Sequence, residues 1–431
     1  MGAIPSFVKF FLPLVLSLAQ LFSLVSTGDI FRLPETDLGI SADLPVYERN
    51  VYRGQRLADG YYRNFWFEDL SLLTSRPRKD VEFNWGYGGL LSLSYKLALL
   101  DESHLPRCEN VVKGLPYYRQ EKDGVFDGYS HTRAMVKDKA DRGVSYDDDM
   151  WIARDLIALH ELTGEKHYLD LAIEVADYLI REAFVDIESE VFIKAGYPAF
   201  EGLKYGGFYW NDGHDALHTC SNGPAAQLLA ALYRLTGKRI YLEHAEKSYN
   251  FFKLLVRPEG VFWDLMRFEK DEDNRIIGVK EVIGPSYSYN SGSPITAAIE
   301  LYLATGGKGY LADAKYWAKS ADEYFAKDSD IPGVKRYPRG NIWFHLILLN
   351  GYTALAPFDR ENTDRYIDHM QSAIDYAYDN YVTDAEFFAG PYLPDDWFLG
   401  WGDENPRDVW VLNASAQAEI YVSLALYHQN R

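Results

Sequence analysis

Apolar residues recur at the helical spacing i, i+4 and i+7 in three segments that share one order of elements. In the first segment, Ile152, Leu156 and Leu159 lead to a Thr-Gly pair, and Tyr168 and Leu171 then begin a second apolar series. Glycine in that position can adopt the left-handed conformation that ends a helix, and so short a turn makes the two helices antiparallel. The chain therefore repeats a helical hairpin. The Thr-Gly pairs stand at Thr163, Thr236 and Thr305.

The same periodicity predicts about twelve helices along the chain. Paired consecutively from the second helix, they make five hairpins and leave the first helix to pair with the last, which closes a ring. An open superhelix would instead need polar capping repeats at both ends. We therefore predict an all-α fold, an (α/α)6 toroid of six helical hairpins. The predicted helices lie near residues 56–75, 85–100, 105–119, 149–163, 166–182, 221–236, 240–256, 292–305, 308–327, 341–356, 362–381 and 411–428.

The first 27 residues predict a signal peptide, because Lys9 is followed by an apolar run and then by small residues at 25–27. An uncleaved anchor or a buried core helix is the alternative. The last residues are charged and do not resemble a lipid-anchor signal. We expect a signal peptide at 1–27 and one toroid domain at 28–431. The protein is then secreted, periplasmic or at the cell surface, without stable membrane insertion after signal removal.

Composition excludes some partners. The chain has 63 acidic and 44 basic residues and a net charge of -19, which argues against nucleic acid or an anionic membrane. Two cysteines, Cys108 and Cys220, are too few for a disulfide scaffold and match no metal site, so they form one bridge or stay as two buried thiols. His214 and His218 are spaced like a metal pair but lack a third ligand. We predict no metal, no cofactor, and a monomer.

Three segments between the predicted helices are rich in Gly, Trp, Tyr, Asn and Asp. Such long connections usually carry function. Aromatic faces beside amides and carboxylates suit a sugar, because the rings stack on a pyranose while the polar groups bond its hydroxyls. The sequence thus favours a carbohydrate ligand. The segments read YGGFYWNDGHDALHTCSN, GPSYSYNSGSP and GPYLPDDWFLGWGDENPRDVW, whereas RFEKDEDNRIIGVKEV is typical of a charged hairpin.

The three aspartates Asp147, Asp148 and Asp149 form the dense acidic cluster before an inner helix. At such a junction two adjacent carboxyl groups can lie on the order of 5 Å apart, as retaining glycosidases require. The helix N-terminus keeps one group ionised, and the negative neighbour raises the pKa of the other. The alternative is a set of N-caps and first-turn charges. The pairs Asp395-Asp396 and Asp403-Glu404 compete more weakly.

Several segments resemble the glycoside hydrolase family 76 endo-α-1,6-mannanases. The segment YDDDMWIARDLIALHELTGEKHYLDLA is similar to the family's motif of Tyr-Asp-Asp, two residues and Trp, with the helix and turn that follow. FNWGYGGLL resembles the first inner helix, GGFYWN and CSNGPAAQLLAALYRLTG the Gly-Gly-x-x-Trp and Asn-bearing segments, and YSYNSGSPITAAIELYLATG the Tyr-Asn-x-Gly segment. The resemblance is clear over residues 85–320 and loose beyond them.

The resemblance implies an (α/α)6 toroid and roles for two aspartates. Asp147 would be the nucleophile and Asp148 the acid/base, while Asp149 falls on a position that the motif leaves free and is expected to be a cap or first-turn charge of the helix that begins near Trp151. Rim packing is the alternative for the aromatic residues, and an N-cap is the alternative for Asn222. Trp397 and Trp401 would extend the cleft. The predicted substrate contacts are Trp85, Trp151, Trp210, Asn222, Tyr289 and Asn290.

The implied activity is that of an exported, retaining endo-α-1,6-mannosidase acting on the backbone of α-mannan or on α-1,6-mannooligosaccharides. Transglycosylation, with a sugar acceptor in place of water, would use the same residues. A non-catalytic glycan-binding toroid is the hypothesis from a different class. Replacing Asp147 or Asp148 by Asn separates the two classes, because a binding module would keep its affinity and have no hydrolysis to lose.

Overall fold

The computed structural model describes residues 43–77, 79–133, 143–383, 391–402 and 409–429. Residues 44–431 form one compact unit. The predicted signal peptide at 1–27 and the pair Asp403-Glu404 lie outside the described residues, so both remain predictions. Within the described part of the chain, no helix is long and apolar enough to cross a membrane.

Helices dominate the described chain. Three of the long helices end at a glycine in the left-handed conformation, and most of the long helices begin after a residue in extended conformation. The helices are α1 Val46–Phe65, α2 Asn84–Leu100, α3 Leu105–Val112, α4 Tyr146–Thr163, α5 Lys166–Glu182, α6 Ser189–Lys194, α7 Thr219–Thr236, α8 Arg239–Lys253, α9 Tyr289–Thr305, α10 Lys308–Phe325, α11 Ile342–Leu355, α12 Arg360–Tyr381 and α13 Val411–Gln429. Short 3-10 turns cover Glu68–Leu70, Glu102–His104, Leu115–Tyr117 and Ala356–Phe358.

Six helices form a closed inner ring. In ring order they are α2, α4, α7, α9, α11 and α13, and α13 packs back against α2. Each of the first five inner helices pairs with an outer helix that follows it in sequence, respectively α3, α5, α8, α10 and α12. The last inner helix, α13, pairs with α1 at the other end of the chain. The predicted (α/α)6 toroid of six hairpins, closed by the first and last helices, is confirmed.

Burial follows from this arrangement. An inner helix is enclosed by two ring neighbours and an outer helix, so it is buried nearly all round, as α13 is from Val411 to Ala425. An outer helix such as α5 buries a stripe of Tyr168, Ala172, Val175 and Leu179 and exposes its other face.

The Thr-Gly turns share one set of contacts. The Thr163 hydroxyl donates to the Leu159 carbonyl at 2.7 Å and accepts the Glu165 N–H at 3.1 Å. Gly164 adopts the left-handed conformation with φ of 76°. The turns at Thr236 and Thr305 repeat these contacts, which explains why the Thr-Gly signal recurs.

Small antiparallel sheets join the helices. They pair β1 with β2 and β2 with β3, β4 with β5, β6 with β7, β8 and β10 with β9, and β11 with β12. The charged hairpin predicted from sequence is β9 and β10. The strands are β1 Trp66–Phe67, β2 Leu72–Arg76, β3 Lys79–Val81, β4 Arg119–Lys122, β5 Val125–Tyr129, β6 Phe184–Ile187, β7 Tyr205–Phe208, β8 Ala216–His218, β9 Leu265–Lys270, β10 Ile276–Ile283, β11 Lys327–Asp328 and β12 Lys335–Arg336.

Two predicted helices were placed wrongly. The first ends at Phe65, and residues 66–76 form β1 and β2 instead, joined by a turn in which Ser71 has a left-handed φ of 44°. The helix predicted at 105–119 stops at Val112, and a 3-10 turn and β4 follow it. Three inner helices also begin earlier than predicted, at Tyr146, Thr219 and Tyr289, because their first turns carry polar and glycine residues that the apolar period does not register.

Candidate active site

The N-terminal ends of the inner helices meet at one mouth of the toroid. Because all six inner helices run in the same direction, their first turns bring residues far apart in sequence together. The residues so placed are Asn84 and Trp85 on α2, Asp147 to Asp149 on α4, Cys220 and Asn222 on α7, Tyr289 and Asn290 on α9, Trp343 and Phe344 on α11, and Trp410 immediately before α13.

Asp147 is buried in the first turn of α4 and is 8% exposed. Burial raises the pKa of its carboxyl above the ordinary value, while hydrogen bonding from Cys220, Trp210 and the helix backbone works in the opposite direction. Its Oδ1 atom has no hydrogen-bond partner among the described residues. The group thus combines donors that stabilise its ionised form with one oxygen left free.

Asp148 follows it in the same turn and is half-buried. Its pKa is raised well above the ordinary value by burial and by the neighbouring carboxyls of Asp147, Asp149 and Glu82. No hydrogen bond to its carboxyl lowers this pKa, in contrast to Asp147. The two adjacent carboxyls therefore differ in the direction that an ionised nucleophile and a protonated acid require.

Asp149 has a structural role, and of its two predicted alternatives it is a first-turn residue of α4 and not the cap. The helix begins at Tyr146, so Asp149 lies inside the first turn. Its side chain is fully buried, and its two oxygens accept from Asn84 Nδ2 at 3.2 Å and from the Tyr129 N–H at 3.1 Å. Asp149 thus ties α4 to α2 and β5.

Trp210 lies beside Asp147 because its loop is pinned to the start of α4. The Tyr146 N–H donates to the Trp210 carbonyl at 2.8 Å, and Ser145 pairs with Asn211. The Trp210 side chain is 37% exposed and packs against His218 with ring centroids 5.2 Å apart. Trp210 therefore offers a bare aromatic surface next to the two carboxyls.

An aromatic wall lines another part of the mouth. Tyr289 stacks on Phe344 with ring centroids 3.9 Å apart and planes 5° apart. Trp85 is half-buried, and its ring centroid lies 5.3 Å from that of Trp410 and 6.4 Å from that of Phe344. Trp85 and Tyr289 thus lie where they were predicted, at the mouth, in a wall completed by Phe344 and Trp410, which the sequence did not single out.

Trp151 does not lie at the mouth. It is 3% exposed, its ring meets the edge of Trp343 at 4.9 Å, and the Arg154 guanidinium lies 4.8 Å above the ring. The prediction that Trp151 contacts substrate is contradicted, because the neighbours cover the ring that would stack on a sugar.

The predicted substrate contact of Asn222 is contradicted as well. The side chain is fully buried. Its Oδ1 accepts from the Phe208 N–H at 2.9 Å and from the Ser248 hydroxyl at 2.9 Å. Its Nδ2 donates to the carbonyls of Phe208 and His218. The amide is used up in joining α7 to β7 and α8, so nothing is left for a sugar hydroxyl.

Asn290 is fully buried and acts on a carboxylate that the sequence reasoning missed. Its Nδ2 donates to Asp264 Oδ1 at 2.8 Å. The Asp264 side chain is 16% exposed, and its Oδ2 lies 3.9 Å from His218 Nδ1. Burial raises the pKa of Asp264. The Asn290 Oδ1 has no hydrogen-bond partner among the described residues, so the substrate contact predicted for Asn290 stays a prediction.

Two more groups were missed. Glu82 precedes α2, is fully buried, and its carboxyl oxygens lack hydrogen-bond partners within 3.5 Å among the described residues. Burial raises its pKa to about 8. Cys220 is buried and unpaired, as is Cys108, so the two-thiol alternative holds. Cys220 is the first residue of the segment CSNGPAAQLLAALYRLTG, and the resemblance of that segment to the family was the sequence feature that could have identified Cys220 as a site residue.

The remaining candidates serve the scaffold. Trp397 is 5% exposed, and Trp401 donates its indole N–H to the Tyr381 carbonyl at 2.7 Å. Asp396 accepts the N–H groups of Phe398 and Leu399. His214 stacks on the Tyr209 ring. Among the described residues, no group of three His, Cys, Asp or Glu side chains could hold a metal ion.

A toroid whose inner helices present two adjacent carboxyls and exposed aromatic rings has the architecture of a carbohydrate-active enzyme. The model of glycosyl hydrolase family 76 matches residues 118–384. The chain belongs to this family and is a glycoside hydrolase, which confirms the resemblance read from its segments.

Two yeast proteins are similar to part of this sequence. Mannan endo-1,6-α-mannosidase DCW1 of Saccharomyces cerevisiae is 27% identical over 125 residues, which are 29% of this chain and 27% of that protein. Mannan endo-1,6-α-mannosidase DFG5 of the same yeast is 28% identical over 134 residues, or 30% of this chain and 28% of that protein. The matched segments thus span about a quarter of these relatives' length.

Solved structures show the same fold. A family 76 mannosidase from Bacteroides thetaiotaomicron has a TM-score of 0.70 and 23% identity, covering 89% of this chain and all 100% of that one. An α-1,6-mannanase from Salegentibacter sp. HEL1_6 has a TM-score of 0.66 and 21% identity, again over 89% and 100%. That second protein is an inactive variant in which two adjacent aspartates are replaced by asparagine, in complex with α-1,6-mannotriose.

Proposed function

We propose that this glycoside hydrolase is a retaining endo-α-1,6-mannosidase that cleaves the backbone of α-mannan. The observation that carries the proposal is the pair of adjacent carboxyls, Asp147 and Asp148, in the first turn of one inner helix beside the exposed Trp210 ring. The names of the yeast relatives support the substrate, and the inactive Salegentibacter variant supports two adjacent aspartates as the reacting groups.

In the first step, Asp147 attacks the anomeric carbon of a mannosyl unit. The bond from that carbon to the glycosidic oxygen breaks, a bond to Asp147 forms, and Asp148 transfers its proton to the leaving oxygen. The partnerless Oδ1 of Asp147 is suited to the attack, and the raised pKa of Asp148 keeps the required proton in place.

In the second step, Asp148, now ionised, takes a proton from water, and the water oxygen attacks the anomeric carbon and releases Asp147. Two inversions give net retention of the anomeric configuration. Trp210 and Tyr289 would stack on sugar rings at the mouth, with Trp85 and its wall of Phe344 and Trp410 extending the surface to neighbouring units.

Incubation of the purified protein with α-1,6-mannotetraose or linear α-1,6-mannan, followed by chromatography of the products, tests the proposal. Release of shorter oligosaccharides is expected, together with loss of at least about 1,000-fold in rate for Asp147→Asn and Asp148→Asn. Nuclear magnetic resonance of the first products should show the α anomer.

The matched control is Asp170→Asn, an exposed aspartate of α5, which should hydrolyse like the parent protein. No release of oligosaccharide from folded protein at any pH between 4 and 9 would refute the activity. A mannosyl adduct trapped on a residue other than Asp147 would reverse the roles.

We further propose that the protein is exported, supported by the apolar segment behind Lys9 in residues 1–27. Expression of the full chain in a secreting host should give extracellular protein whose N-terminus lies near residue 28. Retention of the whole segment in a cell-bound protein would contradict the export proposal.

A further inference from the structure

A second cavity lies at the end of the toroid opposite the two carboxyls. Its volume is about 330 Å³, which is within the range of small-molecule sites. The C-terminal halves of five inner helices line it. Along α4, Trp151 lies between Asp148 and the cavity residue Asp155, so the cavity is separate from the candidate active site. Its main polar lining residues are Lys96, Arg154, Asp155, Gln227, Thr296 and Asn350.

Some of the charges around this cavity are already paired. Arg234 stands at its mouth and binds Glu161 at 2.8 Å and Glu300 at 3.4 Å. Arg154 donates to Asp155 Oδ1 at 2.9 Å. Counted together with Lys96, the lining carries three cationic and three anionic side chains, so neither sign of charge is in excess.

Other polar atoms of the lining are not satisfied. Asp155 is 3% exposed, and its Oδ2 has no hydrogen-bond partner among the described residues. Asn350 Oδ1 also has no hydrogen-bond partner among the described residues. Lys96 brings an ammonium group to the same wall, and its burial lowers its pKa against the attraction of Glu419 and Asp155. The cavity thus offers acceptors and a strong donor side by side.

Only some classes of ligand can bond to the acceptors and to the ammonium donor of this cavity at the same time. An anion would meet the carboxylates of Asp155 and Glu300, and a cation would meet Lys96 and Arg154. A hydroxyl group both donates to a carboxylate oxygen and accepts from an ammonium group, so vicinal hydroxyls satisfy the two kinds of site at once. Leu228 and Ala231 supply apolar wall for carbon atoms.

We propose that this cavity, here called the lower cavity, binds one neutral polyhydroxylated molecule of the size of a single hexose. Asp155 Oδ2 and Asn350 Oδ1 accept from its hydroxyls, and Lys96 Nζ donates to them. The proposal concerns a site apart from the reacting carboxyls and does not depend on the activity proposed above. That activity only suggests D-mannose as the first probe.

The test is isothermal titration of the full chain with D-mannose, D-glucose and myo-inositol in turn. At least one of them should bind with a Kd of about 1 mM or tighter. Ala158→Leu, which adds three carbons to the cavity wall, and Lys96→Gln should each weaken that binding at least about tenfold. Trp210→Ala at the other mouth should leave it unchanged.

Ala158→Leu should also leave hydrolysis unchanged, which separates this site from the candidate active site. Absence of binding by all three polyols would overturn the proposal, as would binding that Ala158→Leu and Lys96→Gln leave intact. Inorganic phosphate binding that depends on Lys96 would show an anion site instead and would equally overturn it. If one variant does not fold, the other decides.

Discussion

At the residue scale, the two carboxyls proposed to react, Asp147 and Asp148, differ in their surroundings although they are neighbours in the sequence. Burial raises the pKa of Asp147, but the hydrogen bonds that its carboxyl receives lower it. The pKa of Asp148 is raised both by burial and by three acidic neighbours. This asymmetry assigns the lower pKa of the pair to the nucleophile. Each apparent pKa in a titration belongs to the pair as a whole.

The pH dependence of kcat/KM follows from these pKa directions. Hydrolysis needs Asp147 ionised and Asp148 protonated, so activity rises with pH through the lower pKa of the pair and falls through the higher one. Because burial raises both, we expect the acidic limb well above the ordinary aspartate pKa of about 3.9. An initial-rate profile with α-1,6-mannotetraose measures it, and a full rate at pH 4 would contradict the assignment.

Glu82 should affect only the alkaline limb. Burial raises its pKa to about 8, so the group is neutral at lower pH and becomes a negative neighbour of Asp148 above that value. Its charge favours the protonated form of Asp148. Glu82→Gln removes that charge, and the alkaline limb should therefore move to lower pH while the acidic limb stays. The control is Glu121→Gln, whose side chain is 52% exposed and should change neither limb.

Asp149 should matter for stability. Asp149→Ala leaves Asn84 Nδ2 and the Tyr129 N–H without a partner in a buried place, which costs about 2–5 kcal/mol of unfolding free energy. Urea denaturation measures the loss. Asp149→Asn keeps the shape and one acceptor and should cost less. The exposed Asp170→Ala should stay within about 0.5 kcal/mol of the parent, and an equal loss there would refute the structural role.

Part of the site was predictable from short-range sequence, and the site predictions that failed did so for one physical reason. The adjacency of Asp147 and Asp148 is visible at one helix start, whereas Trp210 was predicted from the family resemblance and is placed by the bond from the Tyr146 N–H, far earlier in the chain. Burial is decided by partners that are distant in sequence. Trp343 covers the Trp151 ring, and the Asn222 side-chain oxygen accepts hydrogen bonds from Phe208 and Ser248. No local pattern reports such partners.

At the element scale, the inner helices approach closely where they carry glycine. A Cβ at Gly292 of α9 would lie 2.3 Å from the Ile347 carbonyl oxygen of α11, and one at Gly351 of α11 would lie 3.0 Å from the Gly292 carbonyl oxygen. The two helices therefore touch backbone to backbone. The spacing of the ring depends on the absence of side chains at these positions.

Gly292→Ala should accordingly destabilise the protein. The new methyl group meets backbone that cannot move without shifting α11, which we expect to cost about 1–3 kcal/mol. The matched control is Gly309→Ala in the outer helix α10, where a Cβ meets nothing within 4 Å. That change should stabilise by about 0.5–1 kcal/mol. Thermal denaturation of both variants decides, and a neutral Gly292→Ala would contradict the close packing.

The same comparison shows what periodicity can predict at this scale. The C-terminal ends of the three helices with Thr-Gly turns were predicted correctly because the turn chemistry is local, as the Thr163 contacts show, whereas their starts were predicted too late. The predicted helix at 56–75 wrongly included residues 66–75, which pairing of Trp66 with Leu73 and of Thr74 with Val81 holds in strands instead. Pairing across a turn is not visible in the apolar spacing.

At the scale of the whole molecule, the ring is closed by contacts between the two ends of the chain. Arg53 of α1 is 1% exposed and lies among α12 and α13. Its guanidinium binds Asp375 at 2.8 Å and also Asp379, and it lies 4.4 Å above the Tyr378 ring. These residues, Arg53, Asp375, Asp379 and Tyr378, are here called the seam. The seam joins parts of the chain more than 300 residues apart.

Arg53→Ala should destabilise the whole toroid. It removes the nearest cation from Asp375, whose side chain is 16% exposed and keeps Arg49 at 3.2 Å, so we expect a loss of about 2–3 kcal/mol, less than for a fully buried pair. In an open solenoid a lesion at one end loosens only the adjacent repeats. In a closed ring every inner helix has two ring neighbours, so opening the seam exposes α13 and α2 and then each pair in turn. Hydrogen exchange should therefore show reduced protection in α7 and α9, opposite the seam, as well as in α1 and α13.

The surface variant Lys319→Ala is the control, because its pair with Glu323 is exposed and 3.8 Å apart. It should change neither stability nor exchange, since exposed pairs contribute little. Loss of protection confined to α1, α12 and α13 in Arg53→Ala would mean that the hairpins unfold as independent repeats. Because all six inner helices contribute to the mouth, a ring that unfolds as one unit would also lose hydrolysis and helical structure at the same denaturant concentration.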